Sequence, residues 1–572
     1  MDGLTGRRPR ALWREAVAAL LVLGTLVAIG SGVRGLVAPL SSGHPQAISL
    51  SAAALPGYTL RTVTRMMAAL LASLLFTLTY APWAAKSPRA ERILIPVLDV
   101  LQSVPVLGYL SFTVSLFVAL APHHMLGAEL AAIFAIFTSQ AWNMTFSFYQ
   151  ALKTVPADLD EVSRSVRESA WQRFWRLEVP FAVPGLVWNS MMSMSGGWFF
   201  VVASEAISVG SLQIALPGVG SYVAQAIAAH DLKAVGFAVV AMSVAILLCD
   251  QIIFRPLVAW ADKFRVEQAA TVEAPRSRIA EVVGGSQLLG IAREPIRRAL
   301  ERAARARFVP PARLRRFASS VRVPEPLATA LGYCAPAAAG ASIAWVLYHT
   351  AHSVLGWRDV GAVAAQGVLT LWRVLVLTAL VSVVWVPIGI LVGLRPRWTQ
   401  RVQPLAQFLA AFPANLLFPF AVFLILRFHL QPAVWLSALM ILGTQWYILF
   451  NVIAGASAYP SDLREAAASL RVRRGSWWLA VMLPGVFPYY VTGAITAAGG
   501  AWNASIVAEA VRWGSTRLSG GGLGAYIADR TLAGDFPRIA LGVAAMSLMV
   551  IVMNTLLWQP LYRFAARRTR LD

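Results

Sequence analysis

Charge is scarce in this sequence. Of its 572 residues only 13% are Asp, Glu, Lys or Arg, about half the share of a soluble domain, which excludes a chain surrounded by water along most of its length. Cysteine is scarcer still. Cys249 and Cys334 fall in or beside apolar runs, where a lone thiol behaves as a small hydrophobe, so neither a disulfide framework nor a zinc site is at hand. His123 and His124 form an isolated pair without metal-ligand spacing. Lysine is confined to Lys86, Lys153, Lys233 and Lys263, none of which follows glycine. A phosphate-binding Walker loop needs that Gly-Lys step, so the chain cannot hydrolyse ATP by itself. No Ser/His/Asp constellation or other polar catalytic cluster occurs either, and an enzyme is not expected.

What the chain has in abundance is apolar sequence, 58% of all residues. A membrane-crossing helix needs roughly 20 mostly apolar residues. Such runs recur at Ala11–Leu40, Leu60–Trp83, Ile93–Ala121, Ala128–Phe148, Phe181–Val209 and Ala234–Trp260, and again at Leu327–Leu355, Val368–Leu394, Val402–Phe428, Ala433–Ala456, Val486–Val511 and Ile539–Phe564. About twelve spans are expected, each helical because lipid offers no partner for bare backbone amides. The first run is too long for a removable signal peptide and lacks a small-residue cleavage site, so it is expected to stay as an anchor.

The net charge of +22 is an orientation signal, not a nucleic-acid footprint. Arginines cluster in alternate loops: Arg7, Arg8, Arg10 and Arg14 at the start, Lys86, Arg89 and Arg92, then Arg395, Arg397 and Arg401, and Arg563, Arg567, Arg568 and Arg570 at the end, whereas Ala38–Leu60 and Ala119–Gln140 hold no Lys or Arg. Basic loops stay in the cytoplasm, which places both termini there. Membrane lipid is the expected surrounding and nucleic acid is not a partner.

The chain repeats itself. Pro156, Glu161, Pro180, Pro184, Trp198, Glu205, Gly220 and Tyr222 each have an identical residue 304 positions later, at Pro460, Glu465, Pro484, Pro488, Trp502, Glu509, Gly524 and Tyr526; Arg65, Pro96 and Pro105 recur 308 positions later at Arg373, Pro404 and Pro413. Such a register implies duplication. We divide the chain into a first module, residues 1–264, an Arg/Ala-rich cytoplasmic linker, residues 265–326, and a second module, residues 327–572. Six spans per module make the repeats parallel, with the path for a solute expected between them. Within the linker Glu294–Phe308 reads as a short helix with an arginine-laden face, ended by Val309-Pro-Pro311.

One loop of each module is too polar for lipid: residues 153–180 and 458–484. Asp158 and Asp462 suit helix starts, and acidic Asp158, Asp160 and Glu161 precede basic Arg164, Arg167, Arg173 and Arg176, the order a helix dipole favours. Val162, Val166, Ala170 and Phe174 recur every four residues. A short amphipathic helical hairpin is expected in each module.

These loops resemble a known motif. Glu161, Arg167 and Val179-Pro180, and more closely Glu465-Ala466-Ala467, Arg471 and Leu483-Pro484, are similar to the "EAA" loop of permease subunits of binding-protein-dependent ABC importers. In the first copy Val162 and Ser163 replace the two alanines, and in both copies arginine, Arg167 or Arg471, stands where the pattern has a turn glycine. Ser103-Val-Pro105, Ala411-Phe-Pro413, Gly218-Val-Gly220 and Gly522-Leu-Gly524 resemble the nitrate/sulfonate/taurine branch. The resemblance implies an all-α integral membrane protein of two tandem six-helix modules of the type I, MetI-like importer fold, in the bacterial inner membrane. It implies two copies of a cytoplasmic ABC ATPase that use ATP and Mg²⁺, a periplasmic or lipid-anchored substrate-binding protein, no cofactor on this chain, and a small anionic solute. Asp158, Glu161, Arg164 and Arg167, with Asp462, Glu465, Ala466, Ala467 and Arg471, are then the ATPase-docking residues. Leu518-Ser-Gly-Gly521 mimics part of an ATPase signature, by coincidence.

Carboxylates within a span suggest function. Glu205 and Glu509, late in the fifth spans, lie at the depth of Arg65 and Arg373, early in the second, and are expected to pair as an outer gate. Arg512, Arg517, Arg530 and Arg538 fall on the outer side against the charge rule. The alternative of a twelve-helix secondary transporter predicts charged groups deep in the spans and a basic signature joining spans two and three; here the inner spans are nearly free of charge and the elaborated cytoplasmic loop falls between spans four and five.

Overall fold

The computed structural model describes residues 48–120, 125–209, 212–264, 287–306, 345, 355–472 and 474–569. Ala11–Leu40 and nearly all of Leu327–Leu355, the expected first spans, lie outside the described residues, as do Arg7, His123, His124 and Cys334.

The described chain is helical apart from two short hairpins. The first module runs α1 (Leu55–Lys86), α2 (Pro88–Ser103), α3 (Val106–Leu120), α4 (Leu126–Lys153), α5 (Ala157–Ser165), α6 (Val179–Glu205), the hairpin β1 (Ala206–Val209) and β2 (Leu212–Ala215), α7 (Val219–Ala228) and α8 (Leu232–Cys249). After α9 (Gln287–Arg305) the second module repeats the order: α10 (Trp357–Gly393), α11 (Pro396–Ala411), α12 (Phe418–Arg427), α13 (Pro432–Leu442), α14 (Gln445–Ser457), α15 (Ser461–Ser469), α16 (Leu483–Ala508), β3 (Ala510–Trp513), β4 (Thr516–Ser519), α17 (Leu523–Ala533) and α18 (Phe536–Met553).

By length and composition five helices among the described residues can cross a membrane, or seven if each bent pair, Pro396–Ala411 with Ala414–Arg427 and Pro432–Leu442 with Gln445–Ser457, is one span. The expected fifth spans end sooner than their apolar runs. Ala206–Val209 and Ala510–Trp513 leave the helix to form antiparallel hairpins, which an apolar run alone does not distinguish from helix. Large side chains such as Leu71, Leu75, Val383 and Leu556 are left more than half exposed along these helices, the stripe that lipid covers.

Proline sets the breaks. Val104 and Phe412, each before a proline, are extended, with φ/ψ of −79°/123° and −68°/128°, because the proline ring crowds the preceding residue out of helix. The third span of each module is thereby broken, by 79° in the second. Four other prolines are absorbed without a break. The widened turns Phe174–Glu178, Asp250–Phe254, Trp477–Met482 and Asn554–Trp558 end two residues before Pro180, Pro256, Pro484 and Pro560. A proline lacks the N–H and clashes with the carbonyl four residues back; a π turn lets that carbonyl swing clear.

Small residues let helices approach. Ala128, Ala131, Ala132 and Ala135 of α4, and Ala494, Ala497, Ala498 and Ala501 of α16, have no exposed surface, the packing expected where lipid gives no hydrophobic drive. The modules interlock through their broken third spans: α3 packs on α16 and α18, and α11 packs on α6. Val106 donates its amide to Asn503 Oδ1 at 2.8 Å, and Asn415 Nδ2 donates to the Phe199 carbonyl at 3.3 Å.

Candidate functional site

The polar loops form exposed helical turns. α5 begins at Ala157 with Pro156 before it and no side-chain cap. Asp158 therefore acts within the first turn through the helix dipole, not as the cap the sequence suggested. The four-residue apolar spacing also does not make one helix. α5 stops at Ser165, a new turn starts at Ala170 under a Ser169/Gln172 capping box, and Val162 and Val166 point outward, 62% and 64% exposed. Glu161, Arg164, Arg167, Glu465, Ala466 and Arg471 are exposed, while Ala467 is buried. Arg164 pairs with Asp160 at 2.7 Å, Arg176 with Glu168 at 2.6 Å, and Arg173 bridges Asp160 and Glu178.

Arg167 and Arg471 adopt the conformation glycine would. Their φ values are +52° and +51°, and the chain closes behind each in the same way: Glu168 N–H donates to the Ser163 carbonyl at 3.2 Å, and Val472 N–H to the Ala467 carbonyl at 3.1 Å. This is the helix-ending loop that usually carries glycine. An L side chain there costs roughly 1–2 kcal/mol, partly offset because glycine is freer when unfolded. Arg167→Gly with Arg471→Gly is therefore expected to raise stability by up to about 1 kcal/mol per site, read as a small upward shift in thermal midpoint. A downward shift would mean that the guanidinium groups hold contacts of their own.

The paired intramembrane charges meet within each module, and neither pair bridges the two. In the first, Arg65 Nη1 lies 2.7 Å from Glu205 Oε1. The guanidinium also makes a two-pronged bond to Glu129, Nε to Oε2 at 2.5 Å and Nη2 to Oε1 at 2.7 Å. Glu205 accepts further from Thr62 Oγ1 at 2.7 Å and from the Gly220 amide at 2.7 Å. All three charged side chains are buried. Two carboxylates face one guanidinium, and the positive ends of two helices balance the difference: Glu129 lies in the first turn of α4, and Glu205 receives an amide of the first turn of α7.

The second module keeps the frame with other atoms. Arg373 Nη1 lies 3.0 Å from Glu509 Oε1, and Glu509 accepts from Thr370 Oγ1 at 2.9 Å and the Gly524 amide at 2.8 Å. Arg373 has no second carboxylate among the described residues and turns instead to the Gly520 and Gly521 carbonyls, at 2.5 and 2.6 Å. Leu518-Ser-Gly-Gly521 thus has a structural task in this module. The Gly-x-Gly pairs have one too. A Cβ on Gly218 or Gly522 would fall on the carboxylate of Glu205 or Glu509, and one on Gly220 or Gly524 on backbone of the preceding helix.

Sequence reasoning missed Glu129, Thr62 and Thr370. Glu129 had a signal, a lone acid in a run without Lys or Arg. The threonines had none, since a hydroxyl in a span usually bonds its own helix.

Between the modules lies a cavity of about 380 Å³. Ser195, Gly196, Phe199 and Phe200 line it from α6, and their repeat counterparts Gly499, Gly500, Asn503 and Ala504 line it from α16, so it sits on the axis relating the two halves. Gln102, Asn143 and Thr444 also reach it, and no charged residue does among the described ones. A wider vestibule of about 760 Å³ lies between the hairpins and is lined by Arg512, Arg517 and Asp529 among others. Three of the four outer arginines are engaged: Arg517 pairs with Asp529, Arg530 lies 3.9 Å from Asp535, and Arg538 bonds Asp359 at 3.0 Å and Asp535 at 2.7 Å. Arg512 is exposed and has no carboxylate partner among the described residues.

Comparison with known proteins matches residues 73–258 and 386–570 separately to one family, described as binding-protein-dependent transport system inner membrane component. Among curated relatives, the chain is 31% identical over 222 residues to the glycine betaine/proline betaine transport system permease protein ProW of Escherichia coli (strain K12), covering 38% of this chain and 58% of the relative. It is 28% identical over 188 residues to the nitrate import permease protein NrtB of Leptolyngbya laminosa, covering 33% and 63%. It is 31% identical over 164 residues to the bicarbonate transport system permease protein CmpB of Synechococcus elongatus, covering 29% and 56%. The chain thus spans less than two thirds of the length of each of these relatives.

Proposed function

Because this chain belongs to the family of binding-protein-dependent transport system inner membrane components, twice over, we propose that it is the whole two-module permease of an ATP-driven importer. Two copies of a separate ABC ATPase, using ATP and Mg²⁺, dock on the loops around α5 and α15, and a binding protein delivers the solute at the hairpin face. Both termini lie in the cytoplasm on this reading.

The observation that carries it is the pair of identical loop endings. Two arginines held at positive φ, 304 residues apart, present two exposed helical turns with bare apolar side chains, Val162 and Val166 in one, Leu463 and Leu470 in the other. Apolar side chains exposed on a water-facing loop mark a partner surface. Glu161 and Glu465 stand exposed beside them. The cavity on the repeat axis supports alternating access between the halves, and its uncharged lining disfavours the secondary-transporter alternative, which needs an ion-coupling group there.

The solute is a small anion such as a sulfonate, sulfate ester, nitrate or a related solute. Arg512 supports this, as an uncompensated positive charge in the outer vestibule that concentrates anions at the mouth. The Arg65–Glu205 and Arg373–Glu509 pairs act as struts that keep each half rigid while the interface opens.

Deleting Pro460–Leu470 should abolish co-purification of the ATPase at the second site and with it ATP-driven uptake, while the chain still reaches the membrane. Retention of two ATPase copies per chain after that deletion would overturn the docking assignment. Growth of a gene-deletion strain on single sulfur and nitrogen sources would identify the solute.

A further inference from the structure

The last carbonyls of a helix have no partner within it, and those of α9 are met by the first coupling loop. Trp171 Nε1 donates to the Ala303 carbonyl at 2.8 Å, and Gln172 Nε2 donates to the Arg305 carbonyl at 2.8 Å. Gln172 is pre-set for this. Its amide oxygen accepts from the Ser169 N–H at 3.0 Å in the capping box, which aims the amide nitrogen at α9. At the repeat positions the second loop carries Gly475 and Ser476, and neither can reach such a carbonyl. The two copies have diverged at the two residues that hold the linker helix.

The clamped helix carries Arg297, Arg298, Arg302 and Arg305 against Glu294 and Glu301. Arg297 and Arg298 each lie 2.8 Å from Glu294, and Arg297 lies 3.0 Å from Glu301. Arg302 is exposed and has no carboxylate partner among the described residues. A basic surface therefore extends the first coupling loop.

We propose that α9 is a second docking element for the ATPase copy under the first module, meeting an acidic surface on it, so that the two ATPase sites of this chain differ and the first is the tighter. The proposal rests on the reading of the coupling loops as ATPase docks. A layer of anionic headgroups fits the helix less well. Glu294 and Glu301 share its charged face and are repelled by a uniformly anionic layer, whereas a protein surface can set acidic groups opposite Arg298 and Arg302 and leave Glu294 and Glu301 unopposed by them. The helix is also tied to the coupling loop by its end, in continuity with the docking surface.

The test is titration of the full chain, in lipid nanodiscs, with the ATPase that co-purifies with it. The unaltered chain should bind two copies with two affinities. Trp171→Gly with Gln172→Ser, which gives the first loop the residues of the second, should weaken the tighter site on the order of tenfold and leave two copies bound. Arg298→Gln with Arg302→Gln, on an exposed face where folding is not at stake, should do the same. A single affinity for the unaltered chain, or two affinities unmoved by both variants, overturns the proposal. A loss confined to nanodiscs containing anionic lipid overturns it in favour of headgroup binding. No binding by the unaltered chain refutes the docking reading itself, and this proposal with it.

Discussion

Arg65→Met is expected to remove the folded protein from the membrane fraction, and Arg373→Met to lower its yield without abolishing it. Both arginines lie in buried clusters, but they leave different debts behind. Without Arg65, Glu129 loses its two-pronged partner and Glu205 one of its three donors, so two carboxylates are left buried around a methionine. Removing one partner of a buried pair costs about 3–5 kcal/mol, as large as much of the stability of a typical domain. Without Arg373, Glu509 still accepts from Thr370, Gly524 and Ala525, and the other bonds lost are to two backbone carbonyls. Fluorescence-detected size exclusion in mild detergent would separate the two outcomes. If the Arg65→Met peak stayed within twofold of the unaltered chain, the first cluster would not be a strut. Adding Glu129→Gln and Glu205→Gln to Arg65→Met should recover much of the peak, because the burden is unpaired charge and not lost shape.

The second large effect concerns the path. Gly499 faces the cavity, and a Cβ built on it meets nothing within 4 Å. Gly499→Trp should therefore fold well, and even gain from removing a glycine inside α16. Yet the indole would occupy much of a space of about 380 Å³. Uptake of the solute should fall more than tenfold while ATPase docking, on the far side of the loop, stays intact. Gly500→Trp is a poor substitute, since its Cβ already collides with Thr444 and misfolding would mimic blockage. Normal uptake by Gly499→Trp would mean that the solute takes another route.

Much of the architecture was legible before any fold was known. Apolar runs separated by arginine-rich loops place the chain in a membrane, and residues that repeat at one offset reveal two modules. The polar loops were legible for the same reason, since Glu465-Ala466-Ala467 and its earlier copy are local patterns. Their turn was half legible. Arginine at a glycine position left the backbone open, and the structure shows both residues paying a modest steric cost to keep the glycine conformation. Glu129 stood out as a lone acid, but nothing along the chain tied it to Arg65.

Composition and spacing along one dimension therefore determined the membrane location, the duplication and the loops, because lipid burial and local turns depend on neighbours in sequence. The tertiary structure decided which charges meet and where the cavity between the modules lies. Arg65 joins groups 64 and 140 residues away, and that depends on how each helix is rotated about its axis, which equally apolar faces leave unspecified. The same holds for Trp171 and Gln172, whose reach to α9 crosses more than a hundred residues and makes unequal two loops that the sequence presents as copies.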